Sequence, residues 1–289
     1  MQLPPTANVI PTLIITLSES VPAMPSPNPA TAPLNWFESS ASSHPPRNPR
    51  AYLALSSPAL PSSSVIASTL SSRGIAARAC PPSPAPHAAS VALGSVTVHW
   101  RFVEAPMPLT HQPCGCEVTR DVPALREQVA HLELTGTGDD ASPADVAWAI
   151  TRVIVALAQH VAAVGVAFDS AAAAMSPKRF VDFVKRASDA NLPALLWIRV
   201  AIVTGPEGLT VYSDGLETFG RPEIEVRMSK APFLFVMRRV ESMIEYVVRT
   251  QAHLRPGDFF GIADDEKFPL RHARSQCHAD RRIVCVLGI

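Results

Sequence analysis

Apolar residues recur along this chain in two different rhythms, and the alternation between them predicts the elements. Ala51–Leu55 reads as a strand. Pro61–Ser72 reads as a helix, with Val65, Ile66 and Leu70 on one face. Val91 to Val103 has the form of a hairpin. Gly94-Ser95 separates Val91-Ala-Leu93 from the alternating run Val96-Thr-Val98-His-Trp100. Pro123–Ala130 predicts a helix that leads into a strand at His131–Leu134. Ser142-Pro143-Ala144-Asp145 is a helix start: a hydroxyl that can cap, a proline suited to the first turn, and an acid at the positive end of the dipole. Val146, Ile150, Val153, Ile154, Leu157 and Val161 then share a face, and Arg152 and Gln159 fall away from it.

The second half continues in the same way. Val164–Phe168 predicts a buried strand. Ser176-Pro177 starts another helix, with Phe180, Phe183, Val184 and Ala187 inward. Leu195–Val203, Leu209–Ser213 and Glu223–Arg227 read as strands, and Asp214-Gly215 supplies turn chemistry between them. Pro232–Thr250 is the longest predicted helix. Its core stripe is Val236, Val240, Met243, Ile244 and Val247, with Glu245 and Arg249 as an i,i+4 pair on the wet side. Strands near Phe268–Arg271 and Ile283–Leu287 close the chain. Several neighbouring strands look like hairpins, and strict βα alternation is missing. The expected class is therefore α+β, with antiparallel or mixed sheets and helices packed on one face. The pattern also admits two similar α+β halves, at 50–135 and 145–289, within one domain spanning 49–289.

Composition changes this picture at the amino terminus. Residues 1–48 hold many of the 29 prolines. Proline fixes φ and removes a donor, so this tract predicts a disordered Pro-rich arm with polyproline II character. A partner could dock on it, but the sequence favours a passive solvated tail, or a misplaced start codon, because Pro-rich segments without packing signals are usually just solvated. The apolar patch Val9–Leu17 is interrupted by Pro11 and preceded by no Lys or Arg, which argues against a secretory leader. Arg152, His160 and Arg199 break the later apolar runs, so no membrane span is expected. Formal net charge is zero and basic patches are short, such as Arg281-Arg282, so nucleic acid is not an expected partner. The five cysteines, an odd number in a long chain, fit a reduced cytoplasm better than a disulfide framework.

The richest candidate for chemistry is the acidic segment Gly215 to Val226. On a strand, Glu223 and Glu225 point to one face, roughly 6.5–7 Å apart. With Glu217 they could hold a divalent cation or perform acid/base work. Arg227 falls on that face too. Alternating Glu, Glu and Arg is how a solvated sheet face pairs its charges, with Ile224 and Val226 as the buried side. The sequence favours this second reading. Gly215 and Gly220 permit unusual backbone angles, and Phe219 can plug the core beside the turn.

Other candidates are thinner. Cys114-Gly115-Cys116, with His111 nearby and Cys277, His278 or Cys285 distant, lacks the C-x2-C to C-x4-C spacing of zinc sites. His131 and His160 sit at element boundaries, and no G-x-S-x-G elbow serves either. Asp264-Asp265-Glu266 lacks EF-hand spacing and reads as a solvated loop. Phosphate-binding, dinucleotide and H-E-x-x-H motifs do not occur. No cofactor or metal is expected.

Several landmarks occur in a fixed order: Ala105-Pro106-Met107-Pro108-Leu109, His131-Leu132-Glu133-Leu134, Val164 to Phe168, the helix at Ser176, and Tyr212-Ser213-Asp214-Gly215-Leu216-Glu217-Thr218-Phe219-Gly220-Arg221-Pro222-Glu223-Ile224-Glu225. From Ala51 onward, and most clearly from Arg101 to Asp258, the chain resembles a bacterial family named only as a domain of unknown function, family 4261. Ser213 stands where that pattern has Thr. The resemblance implies a bacterial, cytoplasmic protein and supplies no activity or catalytic residue. Two functional expectations follow. One is a non-catalytic protein-interaction module, immunity-like or regulatory. The other is a metal-assisted or acid/base hydrolase using Glu217, Glu223 and Glu225.

Overall fold

A computed structural model describes residues 48–108, 123–171, 173–205, 208–263, 265–277 and 283–289. The expected arm at 1–48 lies outside them up to residue 47, as do His111, Cys114, Cys116, Asp264, His278 and Arg281-Arg282.

The first sheet is antiparallel throughout. Its strands are β1 (Arg50–Leu55), β2 (Arg78–Ala79), β3 (Ala88–Leu93), β4 (Val96–Val103), β5 (Ala130–Thr137), β6 (Ala163–Phe168) and β7 (Ala173–Met175), in the order β2-β3-β4-β5-β1-β6-β7. The β3–β4 hairpin turns at Gly94-Ser95, where Leu93 pairs with Val96 and Gly94 takes φ +58°. Helices α1 (Ser63–Ser71) and α2 (Pro143–Leu157) pack on this sheet. Ser142 and Asp145 form a reciprocal capping box at the start of α2: the Asp145 N–H reaches the Ser142 hydroxyl at 3.2 Å and the Ser142 N–H reaches the Asp145 carboxylate at 3.0 Å.

The second sheet is mixed. Its strands are β8 (Arg199–Gly205), β9 (Gly208–Asp214), β10 (Glu223–Ser229), β11 (Phe259–Phe260), β12 (Phe268–Arg274) and β13 (Ile283–Leu287), in the order β11-β12-β13-β10-β9-β8. The β10–β13 pair is parallel, with Ile224 opposite Cys285, and the other pairs are antiparallel. Three more helices complete the fold: α3 (Pro177–Val184), α4 (Ala194–Trp197) and α5 (Phe233–Thr250). The core stripe of α5 is buried as its spacing predicts, at Val236, Val240, Met243, Ile244 and Val247.

One contiguous core joins the sheets. It runs from Leu53 and Leu132 through Ile150 and Ile154 to Trp197, Ile224 and Val240. This explains why α2 is buried nearly all round and not on a single stripe. One side meets the first sheet, and on another the indole N–H of Trp197 donates to the Thr151 hydroxyl at 2.9 Å. On the opposite face of the first sheet a smaller cluster of Tyr52, Ala54, Met107, Leu125, Ala167 and Ala174 lies beneath a 3-10 turn at Pro123–Glu127.

Several boundaries differ from the sequence reading. The helix expected at Pro123–Ala130 is only that 3-10 turn, and β5 already begins at Ala130. α2 ends at Leu157, leaving Val161 outside it. Of the residues assigned to the inner face of α3, Phe180 is the one fully covered. The strand expected from Leu195 starts at Arg199, because Ala194–Trp197 coils into one helical turn that buries Leu196 and Trp197. A short apolar run buried on all sides has no periodicity that separates strand from helix. The chain passes between sheets after Met175 and before Arg199, so sequence halves at 50–135 and 145–289 would cut β6 and β7 away from the sheet they complete.

Candidate functional site

The acidic segment connects β9 to β10 through a 3-10 turn at Leu216–Phe219. Gly215 enters the turn at φ +124°, and a Cβ there would sit 2.7 Å from the Ser170 carbonyl oxygen, so only glycine fits. Gly220 leaves the turn at φ +67°.

Glu223 reaches back and ties this connection shut. One carboxylate oxygen accepts from the Gly215 N–H at 2.9 Å and the Glu217 N–H at 3.2 Å. The other accepts from the Ser213 hydroxyl at 2.6 Å. The Ser213 oxygen in turn accepts from the Ile224 N–H at 2.8 Å. A helical turn leaves its first N–H groups without intrahelical acceptors, and here a side chain from the following strand supplies one. The Glu223 side chain has no solvent exposure. Burial pushes its carboxyl up to about 7, against the downward pull of the Ser213 hydroxyl and the Gly215 amide; the Asp214 charge adds to the rise.

Glu225 belongs to a different set of partners. It too is fully buried. It accepts from the Arg227 guanidinium at 2.8 Å, from the Gln276 N–H at 3.4 Å, and from the Ser275 hydroxyl. Arg227 also donates to the Arg274 carbonyl at 2.6 Å, fastening the end of β12 to β10. Glu217 gives its backbone N–H to Glu223 and carries its own side chain at the surface.

The expected solvated face is therefore wrong. Glu223 and Glu225 are as buried as Ile224 and Val226. The physical reason is topological: β10 lies inside its sheet, between β9 and β13, and both of its faces are covered. Alternation of acids with aliphatics looks the same in sequence whether the acids meet water or internal donors. Glu217 does not join the other two in the interior.

The rest of the segment has packing work. Phe219 is buried and stacks on Trp197, ring centroids 5.9 Å apart and planes 20° apart. Trp197 also meets Phe168 of β6 at 6.4 Å, so the turn is anchored to the first sheet. Arg221 donates to the Gly220 carbonyl at 3.0 Å and to the Gln251 carbonyl, just past the end of α5. A guanidinium there serves carbonyls that the helix leaves unpaired and favours the negative end of its dipole. Burial lowers the Arg221 pKa.

Among the other candidates, His131 is buried, with Nδ1 2.8 Å from the Ala105 carbonyl and its ring edge-on to Tyr52. His160 lies 2.8 Å from the Thr69 hydroxyl at the surface. Burial, with the Glu225 charge adding to it, pushes the Cys277 thiol up to about 12. Burial and Asp258 push Cys285 up to about 12 as well. Such thiols stay protonated and make poor nucleophiles. Among the described residues no three His, Cys, Asp or Glu side chains are grouped to hold a metal ion. Glu266 is not a solvated loop acid. It pairs with Arg239, which also lies 3.8 Å over the Phe235 ring.

Sequence reasoning missed a groove of about 320 Å³ between α5, the loop before α4, and the residues around β11. Leu192, Tyr246, Phe260 and Ile262 line it, with Glu245 and Arg249 at its rim. None of the three acids Glu217, Glu223 and Glu225 lines it. Tyr246 falls on the expected wet side of α5, and it is 41% exposed. An aromatic at such a position was the available signal.

Fold and site together define an α+β protein whose acidic turn is an internal latch. Residues 212–287, from Tyr212 in β9 to Leu287 in β13, match the family described as "Domain of unknown function (DUF4261)". No curated protein and no solved structure matches the chain. Among the described residues no helix is long and apolar enough to cross a membrane.

Proposed function

We propose that the protein is a non-catalytic protein-interaction module of an immunity-like or regulatory kind, working in a bacterial cytoplasm. The observation that carries this reading is the use of both interior acids. The carboxylates of Glu223 and Glu225 are spent on donors of their own chain, in two separate sets, and a substrate would have to displace those donors. The groove under Tyr246 gives the module a surface. It combines exposed apolar side chains with a charged rim, the composition of a recognition patch. Affinity capture from the native host tests the reading with matched baits. Wild type and Glu223→Gln should retain one partner in equal yield, and Tyr246→Arg should lose it. Retention by Tyr246→Arg would remove the groove from the account.

One observation favours the hydrolase alternative. A buried carboxyl whose pKa is near 7 is poised to exchange protons at neutral pH. That reading requires the Glu217, Glu223 and Glu225 side chains to meet one substrate. Hydrolysis of ester, amide or phosphoester probes that disappears in Glu223→Gln, with the fold intact, would establish it over the interaction reading.

A further inference from the structure

Every residue from Cys80 to Pro86 is a proline or precedes one: Cys80-Pro81-Pro82-Ser83-Pro84-Ala85-Pro86. Proline holds φ near −65°, and the residue ahead of a proline is driven from the helical region, which biases the stretch up to Ser83 toward polyproline II; the chain then bends at Pro84-Ala85 and turns at Pro86-His87. That form repeats every three residues. Pro81 and Pro84 therefore share an edge, and Arg78 stands three residues ahead of Pro81. All three are exposed. Arg78 lies on β2, an edge strand with β3 as its neighbour, and its guanidinium makes no hydrogen bond or ion pair among the described residues. The loop is moored at both ends. The Cys80 N–H reaches the Ser90 carbonyl at 3.2 Å, and the His87 carbonyl accepts from the Phe102 N–H at 2.9 Å.

Proline-rich edges of this kind dock in grooves with aromatic walls, and a neighbouring arginine finds an acid at the rim. The same chain carries such a groove. Tyr246 and Phe260 stand with ring centroids 6.4 Å apart, and Glu245 lines the groove beside them. Arg249 also borders it, one helical turn beyond Glu245, so the acid marks one end and not the whole length. No residue of the 78–86 loop lines the groove within a single molecule.

We propose that the Arg78–Pro86 loop of one molecule docks in the Tyr246–Phe260 groove of a second copy, with Arg78 against Glu245. This rests on the interaction reading above and names its partner as another copy of the chain. Contacts of this type are weak individually, so the association should be concentration-dependent in the upper micromolar range, about 10–500 μM.

The experiment is sedimentation equilibrium on the full chain over that range, with Arg78→Glu, Glu245→Arg, the two combined, and Pro81→Ala/Pro84→Ala. Circular dichroism checks the fold of each. Wild type should gain mass with concentration. Either charge reversal alone, or the double proline variant, should weaken association by at least about fivefold, and the combined reversal should restore most of it. A peptide of residues 76–88 added to wild type should compete. Two results overturn the proposal: a monomer throughout with no peptide binding, or an association that survives Arg78→Glu and the proline changes. Association that instead needs residues 1–47 would assign the groove to the amino-terminal proline-rich tract, and would overturn it equally. A monomer that still captures a host partner through Tyr246 would sink this inference and leave the interaction reading intact.

Discussion

Removing the Glu223 carboxylate should unlatch the β9–β10 connection. Glu223→Ala leaves two backbone N–H groups, at Gly215 and Glu217, and the Ser213 hydroxyl without their acceptor in a site that has no solvent exposure. At about 1–3 kcal/mol for each buried group left unsatisfied, with some rescue by water entering the space, the loss is ~3–6 kcal/mol. Glu223→Gln keeps an oxygen for the two amides and disturbs only the Ser213 contact, so its loss below about pH 4.5, where the wild-type carboxyl is neutral as well, should be ~1–2 kcal/mol. The two variants also differ in pH response. The folded carboxyl is raised to about 7 from 4.5, so between those values the folded state holds a proton that the unfolded state has released. Stability is then highest below about 4.5 as far as this group is concerned, falls as pH rises toward about 7, and is level above it. At 1.36 kcal/mol per pH unit over that interval, the fall is ~3 kcal/mol. Urea unfolding at steps from pH 4 to 8 measures it, as the difference between wild type and Glu223→Gln, which cancels the other titrating groups. The difference should fall with rising pH, pass through zero and flatten above about pH 7, with Glu223→Gln then the more stable. A pH-independent difference, or a Glu223→Ala loss below about 1 kcal/mol, would refute the latch.

Other consequences are simpler to read. Gly215→Ala combines a strained φ of +124° with a clash at 2.7 Å against backbone, and should cost at least ~2 kcal/mol, seen as a lowered Tm. Phe219→Ala should cost ~3–5 kcal/mol by opening a cavity beside Trp197, measured by denaturant unfolding. Arg221→Met should speed amide exchange in the last turn of α5 and cost about 1 kcal/mol, because the Gln251 carbonyl loses its donor. Alkylation of native Cys277 and Cys285 at pH 8 should run roughly 10³-fold slower than in urea, since thiols pushed up to about 12 supply little thiolate.

The fold was legible wherever a periodic face met a capping or turn signal. The Ser142–Asp145 box, the Gly94-Ser95 hairpin and the α5 stripe are local features, and local sequence carries them. The failures arose where tertiary surroundings override the pattern. Leu195–Trp197 turns helical inside the core, and α2 is covered on the flank where Thr151 meets Trp197. The acids were located in sequence but their environment was not. Glu223 and Glu225 alternate with Ile224 and Val226 as a wet face would. Only the placement of β10 between β9 and β13 shows that internal donors replace water. The groove was invisible because Leu192, Tyr246 and Phe260 are far apart along the chain. The family resemblance was read from Ala51 onward, and the family match falls on residues 212–287, the part that holds the latch.

The central claim is that the acidic segment closes a turn from within and grips no ligand. A crystal structure of the protein soaked in manganese, with anomalous data, tests it most directly. The account predicts Glu223 held by the Gly215 and Glu217 amides and the Ser213 hydroxyl, with no anomalous peak beside it. A manganese ion shared by Glu217, Glu223 and Glu225 would contradict it.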